Sequence, residues 1–211
     1  LEIRILADKT IKYAKVKVPA TLDAANIKET VLNANLWSLF KQRPYGIIPD
    51  AADTPKAIFV STFDTAPLAP DLSFIISKNK EAFDKGLAVL DVLSGGNLEV
   101  GVASSDPVSV SSGNTNEFSG AHPAGNVGIQ IHHVSPIKSG EKVWTLEVQD
   151  VIILGHLFSK GEYHADRIVA LTGSEVNSPV YIKVKVGQSL TSILAEKVNE
   201  DNVRYIQGNV L

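Results

Sequence analysis

Lys56-Ala57-Ile58-Phe59-Val60, running into Ser61-Thr62-Phe63-Asp64-Thr65-Ala66-Pro67, is the most telling stretch for the class of architecture. The first five residues form a short apolar run without helical period, which reads as a strand buried on both faces. The polar loop after it suits an open parallel sheet, where ligands collect beyond the carboxyl ends of strands. Downstream, Asn79 to Leu93 carries Phe83, Leu87, Leu90 and Val92 or Leu93 at helical spacing, and Gly95-Gly96 ends it. Leu98 to Val102 is the next strand. Strand, helix and strand in that order make a βαβ unit with a right-handed crossover, so the chain is α/β.

Upstream, Leu1 to Ile5 and Ile11 to Val18 alternate like the arms of a hairpin that Pro19 terminates. Asp23 is placed to cap a helix in which Ile27, Val31, Leu32, Leu36, Trp37 and Phe40 recur at helical spacing; Pro44 and Gly46 close it. Past Val102 the text softens through Ser104-Ser105-Asp106-Pro107, with a short strand expected at Val108 to Val110. Val143 to Val148 reads as a strand, Gln149 to Phe158 as a helix, and Arg167 to Leu171 as another strand ended by Gly173. Val180 to Val186 and Ser192 to Lys197 follow as strand and helix, suggesting a separate small α+β unit.

With 211 residues, 44% of them hydrophobic, the chain can bury a substantial core without covalent staples. It contains no Cys, which excludes cysteine-ligated zinc, iron–sulfur clusters and thiol chemistry inside this sequence. It also contains no Met, begins in strand-like text and stops in an apolar-rich one, so we expect an internal piece of a longer protein. The formal charge is -3 and the densest basic run, Lys9 to Lys17, is spread along a strand-like segment; no nucleic-acid partner is expected. No run of 18 apolar residues is present.

Chemical motifs are sparse. There is no Gly-Lys-Ser or Gly-Lys-Thr phosphate loop, and Gly120, Gly125 and Gly128 are spaced unlike a dinucleotide fingerprint. A helix beginning near Gly125 or Asn126 would offer backbone N–H groups to an anion; close packing of a loop on a sheet explains the same glycines. His122, His132, His133, His156 and His164 show no metal-ligand spacing. Ser119, His122 and Asp150 have the residue types of a nucleophilic triad, but no GxSxG elbow accompanies them. Asp64 and Thr65, behind the Val60 strand, and His122 and Gly125, in the small-residue loop, are the candidate ligand-loop residues; turn capping is the competing role for Asp64.

Several segments resemble the A subunit of the sodium-translocating NADH:quinone reductases. They are Leu36-Trp37-Ser38-Leu39-Phe40-Lys41-Gln42-Arg43-Pro44, Lys56 to Val60 with Asp64-Thr65 and Pro67-Leu68-Ala69, Gly120-Ala121-His122-Pro123-Ala124-Gly125, and Glu141-Lys142-Val143-Trp144. Gln149-Asp150-Val151-Ile152, Gly155-His156-Leu157-Phe158, Asp166 to Gly173 and Gly208-Asn209-Val210-Leu211 continue the pattern. The resemblance implies a strand hairpin over 1–20 leading from a missing biotinyl-carrier-like domain, a Rossmann-like α/β domain over 21–175 with a mixed or parallel sheet, and part of a ubiquitin-like β-grasp domain over 176–211. It extends to the flavin subunit of complex I and the C subunit of the Rnf complex. Those relatives cradle a flavin in a glycine-rich loop, where this chain has Ser38 to Pro44 without glycine, so no flavin is expected here.

The function implied is a peripheral subunit of a sodium-pumping NADH:ubiquinone oxidoreductase on the cytoplasmic face of the bacterial inner membrane. It supports quinone reduction and assembly. Its partners are the other subunits and quinone, the flavins and iron–sulfur centre sit on those other subunits, and the isolated piece is not expected to turn over. The alternatives are a free-standing flavin or nucleotide enzyme and a pure structural scaffold.

Overall fold

The structure is a computed structural model, and it describes residues 15–194, 196–199 and 202–209. The expected arms at Leu1 to Ile5 and at Ile11 to Ala14 lie outside the described residues. Lys15 to Val18 is not strand, and Val16 N–H donates to Gly161 O at 2.8 Å.

The larger compact unit comprises, among the described residues, 15–65 and Asp71–His164. Its first helix, α1 (Ala24–Asn33), is capped by Asp23, whose carboxylate accepts from Asn26 N–H while Asn26 Oδ1 accepts from Asp23 N–H. The helix expected to reach Phe40 stops at Asn33. Asn35 adopts a left-handed conformation with φ 56°, which asparagine tolerates and which breaks the helical ladder. A single 3₁₀ turn at Trp37–Leu39 follows, and then β1 (Lys41–Arg43), a strand the sequence reading did not contain.

The sheet has the order β1-β5-β2-β3-β4. β2 (Ala57–Ser61) is central, parallel both to β3 (Leu98–Ala103) and to β5 (Val143–Leu146). β4 (Asn114–Phe118) continues the parallel set beyond β3, and β1 joins β5 antiparallel with Gln42 opposite Trp144. The sheet is therefore mixed. The strand expected at Val108 to Val110 is displaced to β4, a polar edge strand with no apolar alternation to betray it. It is fixed by the side-chain amides of Asn114 and Asn116, which donate to the Glu99 carboxylate at 3.0 and 2.7 Å.

Between β2 and β3 the chain makes α2 (Leu72–Lys78), capped by Asp71, and α3 (Lys80–Leu93). Between β4 and β5 it makes α4 (Val127–Val134), and α5 (Val148–Lys160) follows β5. The crossover from β2 to β3 and the one from β4 back to β5 run in opposite directions along the sheet. Two right-handed crossovers of opposite direction place α3 and α4 on opposite faces. Packing agrees with this. Ile131 of α4 lies on Ala57, Phe59 and Val143, whereas the alternate residue Trp144 faces the other way, against Trp37, Phe40 and Lys28.

The smaller unit comprises, among the described residues, Ala66–Pro70 and those from Ala165 onward. Within it β6 (Asp166–Leu171) pairs antiparallel with β7 (Val180–Lys185), and α6 (Leu190–Leu194) follows. The strand at Arg167 to Leu171 thus hydrogen-bonds in this second sheet and not in the first. No described helix is long and apolar enough to cross a membrane.

Candidate functional site

β2 runs toward β3 on one side, and the chain later returns to β5 on the other, so the sheet changes winding direction at β2. At β2's carboxyl end the loop 61–65 meets the segment 120–125, which leads into α4. Glycine permits the meeting. A Cβ on Gly125 would stand 2.7 Å from Thr65 N and 2.9 Å from Asp64 Cα, closer than real Cβ atoms approach.

Polar groups then join the two segments. Gly125 N–H donates to Thr65 Oγ1 at 3.0 Å, and Thr65 Oγ1 lies 3.1 Å from His122 Nδ1. The Ser61 hydroxyl is directed at Phe63 O (2.9 Å) and Gly125 O (3.0 Å), and it accepts from Gln130 Nε2 at 2.8 Å. Thr62 Oγ1 donates to Gly101 O of the adjoining strand at 2.9 Å. When the Thr65 hydroxyl donates to His122, Nδ1 is the acceptor and a neutral ring carries its proton on Nε2. The relay Gly125 N–H to Thr65 O–H to His122 then ends on an N–H donor of a half-buried imidazole. Such a donor recognises a carbonyl or anionic oxygen.

The four ligand-loop candidates, Asp64, Thr65, His122 and Gly125, therefore converge. Asp64 is exposed at the rim, its backbone under Gly125. Asp71 caps α2, bonding Phe74 N–H at 3.1 Å. Asp150 is buried in the first turn of α5, a helix on the face of the sheet opposite α4. Among the described residues no group of three or more His, Asp or Glu side chains could hold a metal ion. Sequence reasoning missed Ser61 and Gln130. Gln130 is fully buried within the apolar run that forms α4, and its amide lies where a Cβ on Gly101 would be, so Gly101 is the space Gln130 needs. A buried glutamine in an apolar helix is its only sequence signal.

At Ser38 to Pro44, where the resemblance would put a glycine-rich flavin loop, the chain packs an aromatic side chain into the core. Phe40 is fully buried, 4.9 Å from the Trp37 ring and 5.7 Å from the Trp144 ring. Segment 36–45 contains no glycine, so its backbone lacks the close approach a flavin phosphate requires; the residues do not fit that group.

The family model described as "NqrA second alpha/beta domain" matches residues 22–163, and that described as "NQRA C-terminal domain" matches residues 168–211. The chain belongs to this family. It is 40% identical over 193 residues to the A subunit of the Na(+)-translocating NADH-quinone reductase of Yersinia pseudotuberculosis (serotype O:1b, strain IP 31758), covering 90% of this chain and 43% of that one. To the corresponding NqrA protein of Pseudomonas aeruginosa PAO1 it is 37% identical over 207 residues, covering 97% of this chain and 46% of that one. It spans less than half the length of these relatives. Among solved structures, an NAD+-reducing [NiFe]-hydrogenase in the H2-reduced state aligns with a TM-score of 0.55 at 12% identity, over 85% of this chain and 42% of that one. At that identity the likeness shows the fold alone.

Proposed function

We propose that this chain works as part of a peripheral subunit of a sodium-pumping NADH:quinone oxidoreductase, on the cytoplasmic face of the membrane, supporting quinone reduction and complex assembly. The observation that carries the reading is the family match across 22–163 together with 40% identity to a subunit of that enzyme. Parallel strands wound in both directions from β2 favour a Rossmann-like description of the first domain, over about 21 to 164. The match at 168–211 favours a β-grasp-like second domain. With no cysteine in the chain and no glycine in segment 36–45, redox cofactors are assigned to the partner subunits. Isolated, the chain is inactive in NADH:quinone turnover.

Quinone is the small molecule whose chemistry suits the 61–65/120–125 junction, because a quinone carbonyl accepts from the Nε2–H that His122 carries when Thr65 donates to its Nδ1. In the assembled enzyme, His122→Ala is expected to raise the apparent KM for quinone about ten-fold, the worth of one buried hydrogen bond. NADH oxidation by an artificial acceptor is expected to stay unchanged. An unaltered quinone KM would sink the ligand role and leave the scaffold reading. Failure of the chain to assemble with membrane subunits would sink the subunit reading itself.

A further inference from the structure

The turn after β1 carries a surface that the fold does not need. Tyr45 is 80% exposed, Ile47 52% and Ile48 57%, three large apolar side chains within four residues. A loose loop would tuck such residues inward, but this turn is closed. Gly46 N–H donates to Gln42 O at 2.8 Å, Gln42 N–H to Ile47 O at 2.7 Å, and Trp37 Nε1–H to Pro49 O at 2.8 Å. Gly46 supplies the left-handed residue, φ 69°, that the tight turn requires. The buried ring cluster of Trp37, Phe40 and Trp144 forms its base. The apolar tip is thus held rigidly in water, which marks a contact surface.

Charge at the base narrows the occupant. Lys41 and Arg43 project from the same side of β1, since side chains alternate along a strand. Lys41 is engaged by Glu147 at 3.0 Å; Arg43 is half-buried, its Nε shielded from solvent, and has no carboxylate partner among the described residues, while the exposed Asp50 just past the tip accepts from Ala52 N–H at 2.9 Å. We propose that this turn docks on a phospholipid surface, Tyr45, Ile47 and Ile48 entering the headgroup–acyl boundary while Arg43 pairs with lipid phosphate. Three side chains on a convex tip are too few for the core of a stable protein interface, which takes about 800 Å² from each partner. They suit a bilayer, where tyrosine settles at headgroup depth, isoleucine below it, and arginine reaches back to phosphate. The choice of a lipid rests on the peripheral-subunit reading, which brings the chain beside a membrane.

The absence of cysteine gives a direct test. The full chain carrying Ile47→Cys, labelled with an environment-sensitive fluorophore, is titrated with phosphatidylcholine–phosphatidylglycerol vesicles. A blue shift and an intensity gain of about three-fold are expected on apolar insertion. Ser105→Cys, exposed at the opposite end of the sheet, is expected to show neither. Tyr45→Ser with Ile48→Ser should lower vesicle binding at least about ten-fold and Arg43→Gln several-fold, with unchanged far-ultraviolet circular dichroism. No shift at position 47, an equal shift at 105, or full binding by the double variant overturns the proposal. So does a lipid-independent shift caused by detergent-solubilised membrane subunits, though that result keeps the peripheral-subunit reading. Vesicle binding through the tip by a chain that fails to join the complex keeps the docking and rejects the subunit.

Discussion

The two faces of the main sheet are sealed by opposite means. On one, α3 and α5 approach until backbone touches backbone: a Cβ on Gly155 would overlap the Ala82 carbonyl, and one on Gly86 the Val151 carbonyl. On the other, α4 is a short helix held by Ile131 and by the Gln130 amide, with Ser61, Thr65 and Gly125 knitting its entry loop to β2. The first face is sealed chiefly by shape, although the Asp150 carboxylate and the Trp144 indole are also buried there. The second is a small polar network at the carboxyl end of the central strand. The difference explains why the candidate site lies beneath α4: hydrogen-bonded loops can present donors outward, and a glycine-zipped helix pair cannot.

Gly155→Val strikes the glycine-packed face hardest. No side-chain movement relieves a clash with the Ala82 carbonyl, so the α3–α5 pair must separate. We expect a loss of about 3 kcal/mol or more, read as a Tm drop or failure to accumulate folded protein. Wild-type stability in Gly155→Val would mean that the two helices have slack. On the other face the expected cost is smaller and can be recovered. Gly101→Ala pushes into the Gln130 amide and should cost about 2 kcal/mol in chemical denaturation. In a Gln130→Ala background the same change should cost much less, a coupling of about 1 kcal/mol or more. Additive losses would show that Gly101 and Gln130 do not share the space.

The contrast also accounts for what could be read from the sequence. α3 was legible because Phe83, Leu87 and Leu90 fill one stripe against the sheet, and helical period survives any partner. The junction residues Asp64, Thr65, His122 and Gly125 were legible as loop text beside a buried strand and a small-residue run. What was hidden depends on contacts remote in sequence. Gln130 answers Gly101, twenty-nine positions away, and neither type signals the other. In the sequence β1 reads as the end of a helix, because Pro44 and Gly46 terminate helices as readily as they build the turn that follows this three-residue strand. β4 lacks an apolar pattern because none of its five residues is buried on either face.

A finer probe of the polar face is Thr65→Val, which keeps shape and removes the hydroxyl shared by Gly125 N–H and His122 Nδ1. We expect about 1 kcal/mol of lost stability. The His122 ring should also lose its Nε2–H preference, read from imidazole nitrogen shifts in nuclear magnetic resonance. A ring that keeps the same tautomer without Thr65 would show that the relay is not what orients it.

The smallest expected effect lies at the far end of the same face, where the chain leaves α4. Lys56, just before β2, donates to Glu141 Oε2 at 2.7 Å and to Pro136 O at 3.0 Å, pinning the α4–β5 connection to the start of the central strand. The Lys56 hydrogen bond first, then the Lys138 backbone N–H, hold the Glu141 carboxyl below its ordinary value of 4.5, against a smaller opposing effect of desolvation. A depressed carboxylate stabilises the fold fully above its unfolded value, and that contribution fades as pH falls through the lower folded value. Glu141→Gln should therefore leave the pH dependence of stability unchanged from pH 6 to 8 and flatten only the limb below about 4.5. Denaturation midpoints measured from pH 3 to 7 check this. Curves that stay parallel down to pH 3 would assign the pin to Lys56 and the Pro136 carbonyl, a contact that does not titrate there.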